Sequence, residues 1–163
     1  MKIDKDLKEA LDPEILEIIE EFKEDIVSLS GESKSKDKIT TSSLWMDNVL
    51  GGGYSVGSWS NFYGNEEAGK TSMGLVWGRN WQLNFPKDGY VFCFDAEGRI
   101  THERLFNSGI STSPDQFLRI PTNRAETVYN MSERFIRMGN KKCFILVDSL
   151  DALELGSDAE KQF

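Results

Sequence analysis

The spacing of hydrophobic positions changes several times along this chain, and each change marks an element. In "LDPEILEIIEEF", Ile15, Ile18, Ile19 and Phe22 share one helical face. Asp12 stands at the N-cap of that helix and Pro13 at its first position. "DIVSLS" follows, with Ile26, Val27 and Leu29 in a short strand-like run. "GESKSKDK" offers nothing apolar to bury and reads as a linker. The pattern therefore divides the chain into a helix-and-strand element at 1–30, a linker at 31–38 and a compact domain over 39–163.

Inside that domain the period alternates. "SWSNFY" (58–63) predicts a strand and "TSMGLVWGRNWQL" (71–83) a helix with Met73, Val76, Trp77 and Trp81 near one face. "YVFCFD" (90–95) is a continuous apolar run, as a strand buried on both faces requires. A short helix around 102–107, a strand "FLRI" (117–120) and a further helix in "NRAETVYNMSERFIRMG" come next. That last helix opens with Asn123 and Glu126 at capping-box spacing and turns Val128, Met131 and Phe135 inward. "CFILVD" (143–148) is the final clear strand. Strands alternating with helices predict an α/β fold with a mainly parallel sheet.

Composition narrows the classes. At 163 residues with net charge −8, the chain is no simple basic coat for nucleic acid, although a local basic patch is compatible with it. Cys93 and Cys143 each lie in an apolar run and read as buried thiols, without the Cys/His spacing of a zinc site. His102 stands alone, which argues against histidine triads. No apolar run reaches membrane-spanning length, so a cytoplasmic protein without membrane contact is expected.

The stretch "GNEEAGKTS" carries the chemistry: Gly64, Asn65, Glu66, Glu67, Ala68, Gly69, Lys70, Thr71 and Ser72. It fits G-x-x-x-x-G-K-[ST], a loop whose glycines let successive backbone N–H groups point inward at an anion. The following helix adds the positive end of its dipole. Lys70 can reach the outer phosphates and the Thr71 hydroxyl can hold Mg²⁺, so a nucleoside triphosphate is the expected ligand. Glu66 and Glu67 repel a polyphosphate and are expected to face solvent or another partner. A chance match is the alternative, and the loop's place between a predicted strand and helix weighs against it.

Two acidic positions extend the site. Asp148 closes the apolar run "KKCFILVD", and the carboxyl ends of parallel strands form the ligand face. A metal role beside Thr71 competes there with simple strand capping. "FDAEGRI" places Asp95 and Glu97 just past another buried strand. Glu97 is the candidate to orient an attacking water, with Asp95 capping the strand and supporting the site; ordinary solvated loop acids are the alternative.

Taken in order, these segments resemble the RecA/RadA strand-exchange recombinases, including phage recombinases of the UvsX kind. "SLWMDNVLGGGYSVGSW" resembles the family segment leading into the phosphate loop, "AEGRITHERL" its acidic-glycine segment, and "LVDSLDAL" its Walker B strand. The resemblance covers roughly residues 13–153. It implies a RecA-like P-loop ATPase core, with ATP and Mg²⁺ as cofactors. It implies that Lys70 and Glu97 are catalytic and that Thr71 and Asp148 bind the metal. It also implies that Arg104 stacks on the adenine, against the alternative of a solvated helix arginine. "DIVSL" resembles the strand by which family members add to a neighbour's sheet, which implies homo-oligomers through residues 13–29.

The departure from the family is the length. The chain stops at "SDAEKQF", soon after the Walker B strand, so the core reads as truncated and no basic, glycine-rich DNA loop is present. Single-stranded DNA is thus an expected partner of a full-length parent and not of this chain alone, which is expected to hydrolyse ATP poorly. The competing readings are another RecA-like ATPase, of the helicase or clock type, and a non-catalytic nucleotide-binding assembly module.

Overall fold

A computed structural model describes residues 37–156. The helix expected over residues 13–24, the strand-like run at 26–29 and residues 31–36 of the linker lie outside the described residues.

The described chain opens with β1 (Lys38–Ile39), α1 (Leu44–Val49) and β2 (Tyr54–Ser55), β1 and β2 pairing antiparallel. Asp47 secures this corner, accepting from the Thr41 amide at 2.7 Å and the Thr41 hydroxyl at 2.6 Å. Then come α2 (Lys70–Asn84), β3 (Gly89–Asp95), α3 (His102–Ser108), β4 (Phe117–Ile120), α4 (Ala125–Ile136) and β5 (Lys142–Asp148). A 3₁₀ turn at Leu150–Ala152 follows. The sheet has the order β4-β3-β5 with every pair parallel, so the α/β expectation holds. Each crossover between its strands is a helix, as parallel pairing demands.

β3 is central, and Val91, Phe92, Cys93, Phe94 and Asp95 are all buried. α2 lies against it and against β5, contributing Leu75, Trp77 and Trp81 to the core. Burial of each such side chain stabilises the fold by about 1.5–3 kcal/mol. Gly74 makes this packing possible: a Cβ there would stand 2.6 Å from Leu146 Cδ1, inside contact distance. Polar bonds fix the helix lengthwise. Trp81 Nε1 donates to the Lys142 carbonyl at 3.1 Å, and Tyr54 Oη donates to the Trp77 carbonyl at 2.9 Å while its ring stacks on Trp77. On the other side of the sheet Phe135 stacks on Phe92, and Val128 is buried.

Three expectations need correction. Residues 58–63 form no strand, because "SWSNFY" finds no ladder partner among the described residues; Trp59 and Tyr63 are exposed there. α4 starts at Ala125 behind Arg124 with no side-chain cap, so the capping box does not form. Glu126 instead accepts from the Gly156 amide at 2.7 Å, a backbone donor that outcompetes the local bond. Cys143 is only half-buried, because β5 pairs on one side alone among the described residues.

Cys93 is fully buried, and burial pushes its thiol up to about 12, with the carboxylates of Asp95 and Asp148 adding to the effect. An unfolded chain releases this proton near its ordinary value of 9.0, whereas the folded one keeps it. Stability from this group is thus whole below that value and falls as pH rises toward the folded value. In the folded protein at pH about 8.5, iodoacetamide is expected to label Cys143 well before Cys93, with urea abolishing the difference. Equal labelling rates by mass spectrometry contradict this burial.

Candidate functional site

The loop from Gly64 to Gly69 is exposed and irregular, and it ends where α2 begins. Gly69 is the N-cap of that helix at φ 88°, a left-handed conformation that suits glycine. No side chain caps α2, so its first N–H groups are open toward the loop. Ala68 N–H donates to the Asn65 carbonyl at 3.3 Å, tightening the turn. Glu67 and Glu66 are exposed. The Lys70 ammonium folds back over the loop, donating to the carbonyls of Gly64 and Asn65 at 2.8 Å each. Ser72, two positions further along the helix, is exposed.

Thr71 joins this loop to the sheet. Its hydroxyl donates to Asp148 Oδ2 at 2.7 Å across 77 positions of sequence. Asp148 ends β5, in register with Asp95 at the end of β3. The two strands therefore deliver both acids to one end of the sheet. Past Asp95 the chain turns back, and the Asp148 carbonyl accepts from Ala96 N–H at 2.9 Å and Glu97 N–H at 3.4 Å. This brings Glu97 beside Ser149, whose hydroxyl donates to Glu97 Oε1 at 2.6 Å. Arg99 pairs with Glu97 Oε2 at 3.0 Å. Lys70, Thr71, Asp148 and Glu97 thus share one end of the sheet.

Arg104 stands apart from this group. It is exposed on α3, and its backbone N–H donates to the Thr101 cap. None of its described contacts reaches the loop or Asp148. Three residues of the site were not singled out from sequence. Ser149 and Arg99 lie one and two positions from acids that were, so adjacency was the available signal. Arg119 had none: it pairs with Asp95 only because β4 lies beside β3.

Among the described residues no group of three or more His, Cys, Asp or Glu is placed to hold a metal ion. A magnesium ion carried on a triphosphate does not need such a group. Mg²⁺ keeps waters and phosphate oxygens and takes few protein ligands. A hydroxyl and a carboxylate oxygen in contact at the mouth of an uncapped helix fit that requirement. No helix among the described residues is long and apolar enough to cross a membrane.

Comparison with known proteins finds relatives named Protein RecA. No protein-family model matches the chain. Protein RecA of Mycoplasma genitalium is 33% identical over 132 residues, covering 77% of this chain and 37% of that protein. Protein RecA of Malacoplasma penetrans is 32% identical over 154 residues, covering 94% of this chain and 45% of that protein. Protein RecA of Staphylococcus carnosus is 28% identical over 162 residues, covering 97% of this chain and 44% of that protein. The chain spans less than half the length of these relatives.

Proposed function

The chain belongs to the RecA recombinase family, a family of recombination and repair proteins, and on that premise we propose that its core binds and hydrolyses Mg·ATP. The whole protein, in this reading, is a DNA-dependent ATPase that assembles on single-stranded DNA and exchanges strands. The observation that carries the reading is the bond from Thr71 to Asp148. It sets the helix that follows the glycine loop against the end of an apolar strand closing on an acid, where a phosphate-bound cation needs two oxygens.

Each residue then has a task. The loop amides and the open end of α2 receive the phosphates, and Lys70 turns from the carbonyls of Gly64 and Asn65 to meet them. Thr71 and Asp148 would hold Mg²⁺, which would supply charge neutralisation at the outer phosphates. Glu97 orients water toward the reacting phosphate and accepts its proton, with Ser149 fixing one carboxylate oxygen. Arg104 is retained as a base-stacking residue, since its exposed side chain is open to a ligand. Residues 13–29 dock on a neighbouring subunit, Ile26, Val27 and Leu29 adding to its sheet edge.

Three measurements test it. Lys70→Ala removes a charged donor and is expected to weaken Mg·ATP binding about 10- to 100-fold by calorimetry; equal affinities remove the assignment. Glu97→Gln keeps shape and loses the base, so in a full-length parent nucleotide affinity is expected to hold while turnover drops about 10²–10⁴-fold. A matched loss of both indicates a structural role instead. Deleting residues 1–30 is expected to leave a folded core that no longer self-associates. Ultracentrifugation showing unchanged oligomers, or an unfolded product, refutes that docking role.

A further inference from the structure

We propose that Arg119 is a positioning residue for Glu97, acting through the buried carboxylate of Asp95. The proposal rests on the reading of Glu97 as the water-orienting carboxylate. Its structural half stands on contacts alone.

The Asp95 side chain is wholly shielded from solvent. A carboxylate in that position is costly unless it is paired and its lone pairs are filled. Both conditions are met. Arg119 reaches over from β4 and donates through Nε at 2.8 Å and through Nη2 to the same oxygen, Oδ2. The Arg99 N–H donates to Oδ1 at 3.0 Å and the Ile100 N–H to Oδ2 at 3.3 Å.

Those two amides close a loop. It leaves β3 at Asp95 and returns at Ile100, which is buried, and Glu97 sits in its middle. The near side of the loop hangs on the Asp148 carbonyl, through Ala96 N–H and Glu97 N–H. The far side hangs on the Asp95 carboxylate. Glu97 is therefore clamped from the end of β5 and the end of β3 at once, and its Oε1 meets Ser149 at 2.6 Å.

Arg119 makes the far clamp tenable. Without its guanidinium, Asp95 is a buried charge with no cationic partner. The cost of burying it alone loosens an acceptor shared with two amide donors. A carboxylate that orients water has little positional tolerance, about half an ångström, so loosening this loop removes function before it removes the fold. Removing one partner of a buried pair also costs stability, so a purely stabilising role is told apart by where exchange quickens, at residues 96–101 or evenly over the core.

Amide hydrogen exchange on the whole chain tests this, alongside Mg·ATP binding and turnover. In Arg119→Met, exchange across residues 96–101 is expected to quicken at least about tenfold, with α2 and β3 unchanged. Nucleotide affinity stays within about twofold, and turnover falls toward that of Glu97→Gln. Arg119→Lys keeps the charge but not the two-pronged bond, so a smaller acceleration confined to the same residues is expected. It also serves as the folded reference if the methionine variant does not fold. Unchanged exchange at 96–101 in either variant, or acceleration spread evenly over the core, overturns the proposal. So does full turnover in Arg119→Met when Glu97→Gln is inactive. If Glu97→Gln keeps its turnover, the reading of Glu97 fails, and the exchange pattern alone decides whether Arg119 holds the loop.

Discussion

The register between β3 and β5 is the constraint on which the rest of this structure depends. It pairs Gly89 with Lys142 at one end and Asp95 with Asp148 at the other. Side chains alternate along a strand, so a slip of one residue turns every one to the opposite face. Such a slip parts the two acids and places Asp148 away from Thr71. The apolar faces hold the register: Val91, Cys93 and Leu146 pack with the α2 residues Leu75 and Trp77 in one cluster. Hydrophobic burial, which has no chemical specificity of its own, thereby sets polar geometry at the strand ends.

The seating of α2 transmits that register to the phosphate loop. Gly74 allows close approach to Leu146, and Trp81 ties the helix to the backbone at Lys142, where β5 begins. A helix fixed at those points presents its first turn to the opposite end of the same strand. Thr71 meets Asp148 as a consequence. The helix end and Lys70 also supply positive potential in a chain whose net charge is −8. In the proposed reading, anion binding is a local matter of dipole and ammonium; of the nearby acids, Glu66 and Glu67 are exposed, and Asp95 and Glu97 are paired.

Apolar surface is distributed unevenly. β3 is enclosed, whereas Phe144, Ile145, Leu146 and Val147 of β5 stay half-exposed. Residues 58–63 run past without joining a ladder. α1 buries none of its residues and leaves Leu44, Trp45 and Val49 exposed.

Local sequence by itself determined the elements whose cause is local. The apolar runs at 90–95 and 143–148 became strands, the helix after the phosphate loop formed where its period appeared, and the glycine-lysine loop was legible because its spacing is its mechanism. Adjacency also made Asp148 and Glu97 visible as candidates. What the sequence left open depends on partners far along the chain. Whether "SWSNFY" is a strand is decided by the presence of a neighbour to pair with, not by its own alternation. Whether Glu126 caps its helix is decided by the Gly156 amide reaching it from 30 positions away. The pairing of Arg119 with Asp95, and the loop it closes around Glu97, exist only once β4 is laid beside β3. Local patterns reflect backbone preference and burial within a few residues; contacts between distant residues are fixed only when the sheet chooses its order.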